Sequence, residues 1–340
     1  MSSNIHLPSL VVESPVNIDI THELEQVIQR KPPLLKVSSL VWRFACREAL
    51  RGENVMIRGE TGCGKTLLAM SVAEALGRPF FYLNMGSTQD ARSTLIGNTH
   101  FAKGKGTYLS ESYFVQAIKT PNAIILLDEV SRAHSDAHNI LMTVLDKRQR
   151  YLRIDESPDT PTISVAPGVM FISTANVGSE YTSTRTMDRA FIDRWTIVVM
   201  EPLSRDDEID LLSSLEPTLS GDIISAIADI AEETRNQVKS DNPMVDTIIS
   251  TRVTVKMAAL CSDGFTLMEA IELCVFPLYP TDGGTRSPQG YMRTFVQQFE
   301  TMEVKKLTPF PPKIPTSGPA TVNTQSALNP GFKTPWISSK

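Results

Sequence analysis

Apolar residues fall into short runs along the chain, and the runs alternate between two periods. NVMIR (54–58), FFYLNM (80–85), NAIILLDEV (122–130), VMFISTAN (169–176) and TIVVM (196–200) are brief and rich in β-branched or aromatic side chains. NAIILLDEV and VMFISTAN are apolar at consecutive positions, the pattern of strands buried on both faces of a parallel sheet. Helical patterns lie between them. VSSLVWRFACREALRGE puts Leu40, Phe44 and Leu50 on one helical face and stops at Gly52. LLAMSVAEALG reads as a helix ending at Gly77, and Ala137–Arg148 as another. Strands alternating with helices predict an α/β doubly wound parallel sheet up to about Glu201. After Pro202 the periodicity is helical through residue 303 with no strand run, which predicts a small all-helical domain.

Both ends differ from this body. Residues 1–37 carry Pro8, Pro15, Pro32 and Pro33 and read as an arm with one short helix near Thr21–Arg30, broken at Pro32-Pro33. Residues 304–340 contain seven prolines, show neither period, and read as an extended tail in which Phe310, Phe332 and Trp336 would anchor a partner. The expected organisation is therefore arm (1–37), α/β body (38–201), helical lid (202–303) and tail (304–340). The charge is split the same way. The chain of 340 residues carries a net −5, but the tail holds five lysines and no acid, leaving −10 on the rest. Mild acidity argues against a protein that coats nucleic acid everywhere and leaves room for local basic patches. With 41% hydrophobic and 21% charged residues the chain has an ordinary globular composition. No apolar run reaches the ~18–20 residues of a membrane span. The first residues lack the pattern of a secretory leader. Cys46, Cys63, Cys261 and Cys274 form no CxxC pair, which fits reduced thiols in a cytoplasm.

The chemistry concentrates at two places. Gly59-Glu60-Thr61-Gly62-Cys63-Gly64-Lys65-Thr66 fits GxxxxGK[ST], follows a strand and opens a helix. Its glycines let backbone N–H groups converge on phosphate oxygens, and the helix start favours negative charge. Lys65 would reach the β- and γ-phosphates, the Thr66 hydroxyl would ligate Mg²⁺, and the nucleotide-binding stretch extends to Leu67. Cys63 sits at a variable loop position, as a small filler or as a redox-sensitive thiol. Sixty residues on, IILLDE ends a buried strand in two carboxylates: Asp128 would bind Mg²⁺, and Glu129 would polarise the attacking water. VMFISTAN ends at Thr174 and Asn176, and Asn176 is the candidate for holding that water with Glu129.

In order and spacing these pieces resemble the AAA+ ATPases, and among them the MoxR-like branch with its CobS-, CbbQ- and gas-vesicle-type relatives, over about residues 38–280. The resemblance implies an Mg²⁺-dependent ATPase that forms a ring, a hexamer in the family. It implies remodelling or activation of a client protein, with a von Willebrand A-type domain supplied by a separate chain. It makes Asn176 sensor 1. Arg194, in MDRAFIDRW, becomes the arginine finger reaching a neighbour's γ-phosphate, with Arg189 the second candidate. Arg252, in STR, becomes the lid's sensor 2. Arginine in trans would make hydrolysis depend on assembly.

Two further stretches bear on partners. Residues 86–107 read as a long polar loop made basic by Lys103 and Lys105. DKRQRYLRID carries Lys147, Arg148, Arg150 and Arg153, with YLRIDE and TISVAP as the strands of an inserted hairpin. In the family, loops at 86–107 line the ring pore, and basic groups converging there would suit a DNA or RNA backbone or an acidic polypeptide. The alternative function is therefore a nucleic-acid motor or loader. His134 and His138 have i, i+4 spacing but no third ligand in view, so exposed or capping histidines are expected. No guanine-selecting NKxD follows the core strands, which favours adenine.

Overall fold

In the computed structural model, the described residues are 20–300 apart from 103–105, 155–161, 177–186, 283 and 285–286. The expectations for residues 1–19, for Lys103 and Lys105, and for the tail with Phe310, Phe332 and Trp336 fall outside them.

Five parallel strands form the central sheet: β1 (Val55–Gly59), β2 (Phe80–Asn84), β5 (Ile124–Asp128), β8 (Met170–Asn176) and β9 (Thr196–Met200), in the order β2-β5-β8-β1-β9. All five apolar runs of the sequence are strands of this sheet. Ile124, Ile125, Leu126 and Leu127 of β5 are fully buried. Each such side chain contributes about 1.5–3 kcal/mol relative to exposure. Alternate residues of the central strands face opposite ways, so the sheet has a core on each side. One side holds Met56, Ile125, Leu127 and Phe171 with α5 (Tyr113–Lys119) and α6 (Ser135–Leu145). The other holds Val55, Ile57, Ile124 and Ile172 with α2 (Ser39–Arg51) and α3 (Lys65–Leu76).

Helix α2 starts at Ser38, whose hydroxyl accepts from the Val41 N–H, and stops at Gly52 in the left-handed region (φ 64°). The buried face is wider than the expected one, and Phe44 and Leu50 pack against the same core from its margins. Trp42, Ala45, Cys46 and Ala49 pack inward, whereas Leu40 is 77% exposed. Trp42 decides this, because its ring is the largest apolar surface on the helix and its indole N–H donates to the Ile28 carbonyl (2.9 Å). That bond docks α1 (Ile20–Ile28) onto α2, and Arg30 donates to the Ala75 carbonyl of α3 (2.9 Å).

The stretch read as a polar loop over 86–107 has structure of its own. It holds α4 (Ala91–Leu95), and then β3 (Gly97–Ala102) pairs antiparallel with β4 (Gly106–Glu111). The glycine-lysine run between the two strands hid their alternation. The second hairpin is as expected: β6 (Tyr151–Arg153) pairs antiparallel with β7 (Thr162–Ser164). Helix α6 ends at Leu145 rather than Arg148, because the Asp146 carbonyl turns to accept from the Gln149 and Arg150 N–H groups.

Arg150 is a correction to the basic-loop reading. Its guanidinium turns inward, donating to the carbonyls of Gly52 (2.8 Å) and Val169 (3.2 Å) and to Asn54 Oδ1 (3.4 Å). It stacks over the Phe171 ring at 5.4 Å, and burial lowers its pKa to about 10. These carbonyls, at the end of α2 and ahead of β8, lack regular partners, so a long cation that satisfies them is held as a staple. Lys147 is paired with Glu53, and Arg148 is exposed.

After Met200 the described elements are helical: α8 (Arg205–Leu215), α9 (Gly221–Val238), α10 (Thr251–Ser262), α11 (Leu267–Cys274) and α12 (Pro288–Val296). They enclose a separate core around Ile227, Ile230, Met257 and Ile271. The fold is an α/β P-loop parallel sheet followed by a helical region. Among the described residues no helix is long and apolar enough to cross a membrane.

Candidate active site

Parallel strands bring their carboxyl ends together, and loops at that edge build a crevice. In register, Gly59 of β1 lies beside Asn176 of β8, and Asp128 of β5 lies beside Asn84 of β2. The two sequence motifs and the strand-end Asn therefore meet at one edge.

The loop after β1 needs its glycines. Gly62 and Gly64 sit at φ +85° and +90°, where L side chains are strained. A Cβ at Gly59 would lie 2.3 Å from the Met200 carbonyl oxygen, and one at Gly62 would lie 2.7 Å from Ser250 Cβ. Lys65 is buried, and its ammonium donates to the carbonyls of Gly59 (2.8 Å) and Glu60 (2.7 Å). Burial pushes its pKa down, the Arg252 cation adds to that, and Asp128 and Glu129 act against it. Arg252 lies exposed in the first turn of α10, close enough for its charge to act on Lys65. A polyanion between these two cations would relieve their repulsion. Cys63 is buried beneath the loop and burial raises its thiol pKa, which makes it a small filler rather than a reactive thiolate.

Asp128 is held from two sides by residues the sequence did not single out for this role. The Thr174 hydroxyl donates to Oδ1, and the Tyr82 hydroxyl donates to Oδ2 at 2.9 Å. Thr174 Oγ1 also accepts from the Glu129 N–H (2.9 Å), so one buried hydroxyl ties both carboxylate residues to β8. Burial and the bond to Asp128 push the Tyr82 phenol up to about 12, which keeps it a donor. Glu129 takes the left-handed conformation (φ 55°). Its Oε2 accepts from Arg132 at 3.2 Å, and it leans over Gly86, where an added Cβ would lie 2.4 Å from that oxygen. Thr174 was legible only as a polar residue near a strand end, and nothing in the sequence marked Gly86 or Tyr82. Among the described residues no three His, Cys, Asp or Glu side chains form a metal-binding group. Against the expectation of exposed or capping histidines, His138 is buried. It stacks on Phe191 at 4.3 Å, with Nε2 3.0 Å from the Val130 carbonyl, while His134 occupies the N-cap position of α6 without a side-chain capping bond.

A cleft runs from the loop to the helical region, lined by Leu34, Val37, Gly62, Leu67, Leu203 and Thr251. Its walls are mostly apolar. Arg194 lies outside this group of residues. Its guanidinium donates to the carbonyls of Met142 (3.0 Å) and Ala190 (2.6 Å) and pairs with Asp146 at 3.3 Å. Arg189 is exposed on the short helix α7 (Arg189–Ile192).

Comparison with known proteins gives the family. A family profile described as AAA domain (dynein-related subfamily) matches residues 54–195, and one described as CbbQ/NirQ/NorQ C-terminal matches 208–287. BssE of Thauera aromatica, named as a candidate chaperone, is 31% identical over 222 residues, covering 64% of this chain and 72% of that one. NorQ of Paracoccus denitrificans is 29% identical over 218 residues, covering 64% of this chain and 77% of its own. A solved structure of an ATPase-like protein from Cytophaga hutchinsonii superposes with a TM-score of 0.43 at 16% identity, covering 63% of each chain.

Proposed function

Because the chain belongs to the MoxR-like AAA+ ATPases, with a C-terminal part of the CbbQ/NirQ/NorQ type, we propose that it hydrolyses ATP and couples this to remodelling or activating a partner protein. The observation that carries the reading is the convergence of Lys65, the doubly held Asp128, Glu129 and Arg252 around one glycine loop. In this reading the backbone N–H groups of the loop and Lys65 bind the phosphates, and Lys65 exchanges its two carbonyl acceptors for phosphate oxygens. Adenine occupies the cleft against Val37 and Leu67. Thr66 and Asp128 would hold Mg²⁺, which would neutralise phosphate charge when bound. Asp128 suits that role, since two hydroxyls orient it and its oxygens keep spare lone pairs. Glu129 accepts the proton of the attacking water, with Asn176 as the second group on that water. Arg252 is the lid cation.

Residues 38–201 are the catalytic body, 202–303 the lid, and 1–37 and 304–340 the extensions. The active form is a homo-oligomer, a hexameric ring in which Arg194 or Arg189 of one copy serves the site of the next. To act in trans, Arg194 must leave Met142, Ala190 and Asp146, whereas Arg189 is already exposed. The likeness to BssE supports a protein client, which includes the case of a separate chain with a von Willebrand A-type domain. Four buried free thiols fit a cytoplasmic setting. The test is particle mass in solution. ATP should convert small species into one closed assembly of a single size, and an unchanged monomer at every nucleotide condition would overturn the ring.

Tyr82→Phe gives a narrower check. The ring is 39% exposed, so the fold should be unaffected. Losing a hydrogen bond that water can partly replace costs roughly 1 kcal/mol, about a fivefold loss of turnover. Phosphate release titrated with Mg²⁺ should show the loss, with a higher half-saturating Mg²⁺ concentration. Parental values would reduce Tyr82 to a surface ring.

A further inference from the structure

The helical region buries an ion pair that contacts none of Lys65, Asp128, Glu129 or Arg252. Glu208 of α8 is fully buried, and Arg235 of α9 is 7% exposed. Arg235 Nη2 donates to Glu208 Oε2, and the hydroxyl of Thr254, itself fully buried on α10, donates to Glu208 Oε1. Arg235 Nη1 donates to the carbonyl of Leu203 at 2.6 Å. Arg235 Nε is buried with no partner. Such a cluster is a poor source of stability: desolvating two charges costs several kcal/mol each, and apolar residues of equal volume often serve as well. Its geometry is what stands out. Leu203 lies between β9 and α8, and Thr254 lies one turn into α10. Leu203 and Thr251 both line the cleft, Ser250 abuts Gly62, and Arg252 is two residues from Thr254. One carboxylate thus joins the segment that leads into the lid to the turn that carries the lid cation.

We propose that Glu208, Arg235 and Thr254 are positioning residues that lock the first turn of α10, and with it Arg252, against the phosphate loop, so that preference for the triphosphate is set from a site the nucleotide does not touch. The inference rests on the ATP reading of the loop. A loosened α10 would misplace Arg252, whose target is the γ-phosphate, more than it would disturb contacts to the base and the first two phosphates. A general loosening of the lid would weaken ATP and ADP alike, and this difference separates a positioning role from a merely structural one.

The experiment is titration of fluorescent ATP and ADP analogues into the full chain and two variants. Thr254→Val keeps the shape and removes the hydroxyl; Thr254→Ser keeps the hydroxyl. For Val we expect an ATP Kd raised about tenfold, an ADP Kd raised no more than about threefold, and an unfolding temperature close to the parent. For Ser we expect both constants near the parent. Should Val not fold, Glu208→Gln replaces it, which keeps the size, disrupts the pairing with Arg235, and carries the same expectation. Equal weakening of ATP and ADP, no weakening of either, or a Ser variant as impaired as Val would overturn the inference while leaving the ATP reading intact. A parent chain that binds neither nucleotide would overturn the ATP reading and this inference with it.

Discussion

The Glu129→Gln chain should bind ATP as the parent does and release phosphate at least about a hundredfold more slowly, since a positioned general base contributes roughly 10²–10⁴ in rate. Glutamine keeps the length of glutamate, so the space left by Gly86 and the tie from the Glu129 N–H to Thr174 both persist. The amide oxygen can still accept from Arg132. What disappears is the capacity to take a proton. The Arg132 pair is partly exposed on both sides, so its loss contributes little by itself. Pre-steady-state phosphate release together with filter binding of labelled ATP separates the two quantities. Near-parental turnover would remove Glu129 from the role of base and turn attention to Asn176 and the exposed groups nearby.

The second large effect concerns Lys65 and the trans arginine. Lys65→Ala should lower ATP affinity about 10- to 100-fold, the range for losing a hydrogen bond to a charged group, and abolish turnover at ordinary concentrations. Arg194→Ala should bind ATP normally and be inactive alone. Mixed in one assembly, the two should recover part of the activity, because some interfaces then pair an intact Arg194 with an intact Lys65 site. The alanine also frees Asp146 and the carbonyls of Met142 and Ala190, so its unfolding temperature must be followed in parallel. Recovery with Arg194→Ala and none with Arg189→Ala would assign the finger. The reverse would assign it to Arg189, and failure of both in assemblies of proven composition would remove catalysis in trans.

Much of this fold is legible in the sequence because strands and loop announce themselves by composition. IILLDE and VMFISTAN are short, β-branched and apolar at consecutive positions, the pattern of strands buried on both faces, and GETGCGKT needs φ values that its glycines provide. Legibility fails where the deciding contact is distant. Tyr82 and Asp128 are 46 residues apart in the chain and meet only because β2 pairs with β5. Arg150 reads as one more cation in a basic run, yet carbonyls near 52 and 169 claim it. The inward face of α2 centres on Trp42 and leaves Leu40 outside, because an indole N–H finds the end of α1. The buried pair of Glu208 and Arg235 looks in sequence like any two surface charges.

The central claim is that this edge of the sheet hydrolyses ATP with Mg²⁺. The most direct measurement is steady-state phosphate release from ATP by the purified full chain, with Mg²⁺ and with excess chelator, beside Lys65→Ala as control. The account predicts turnover by the parent that needs Mg²⁺ and vanishes in the Lys65 variant. Parental phosphate release at the level of the Lys65 variant, from an assembled chain with ATP bound, would contradict it.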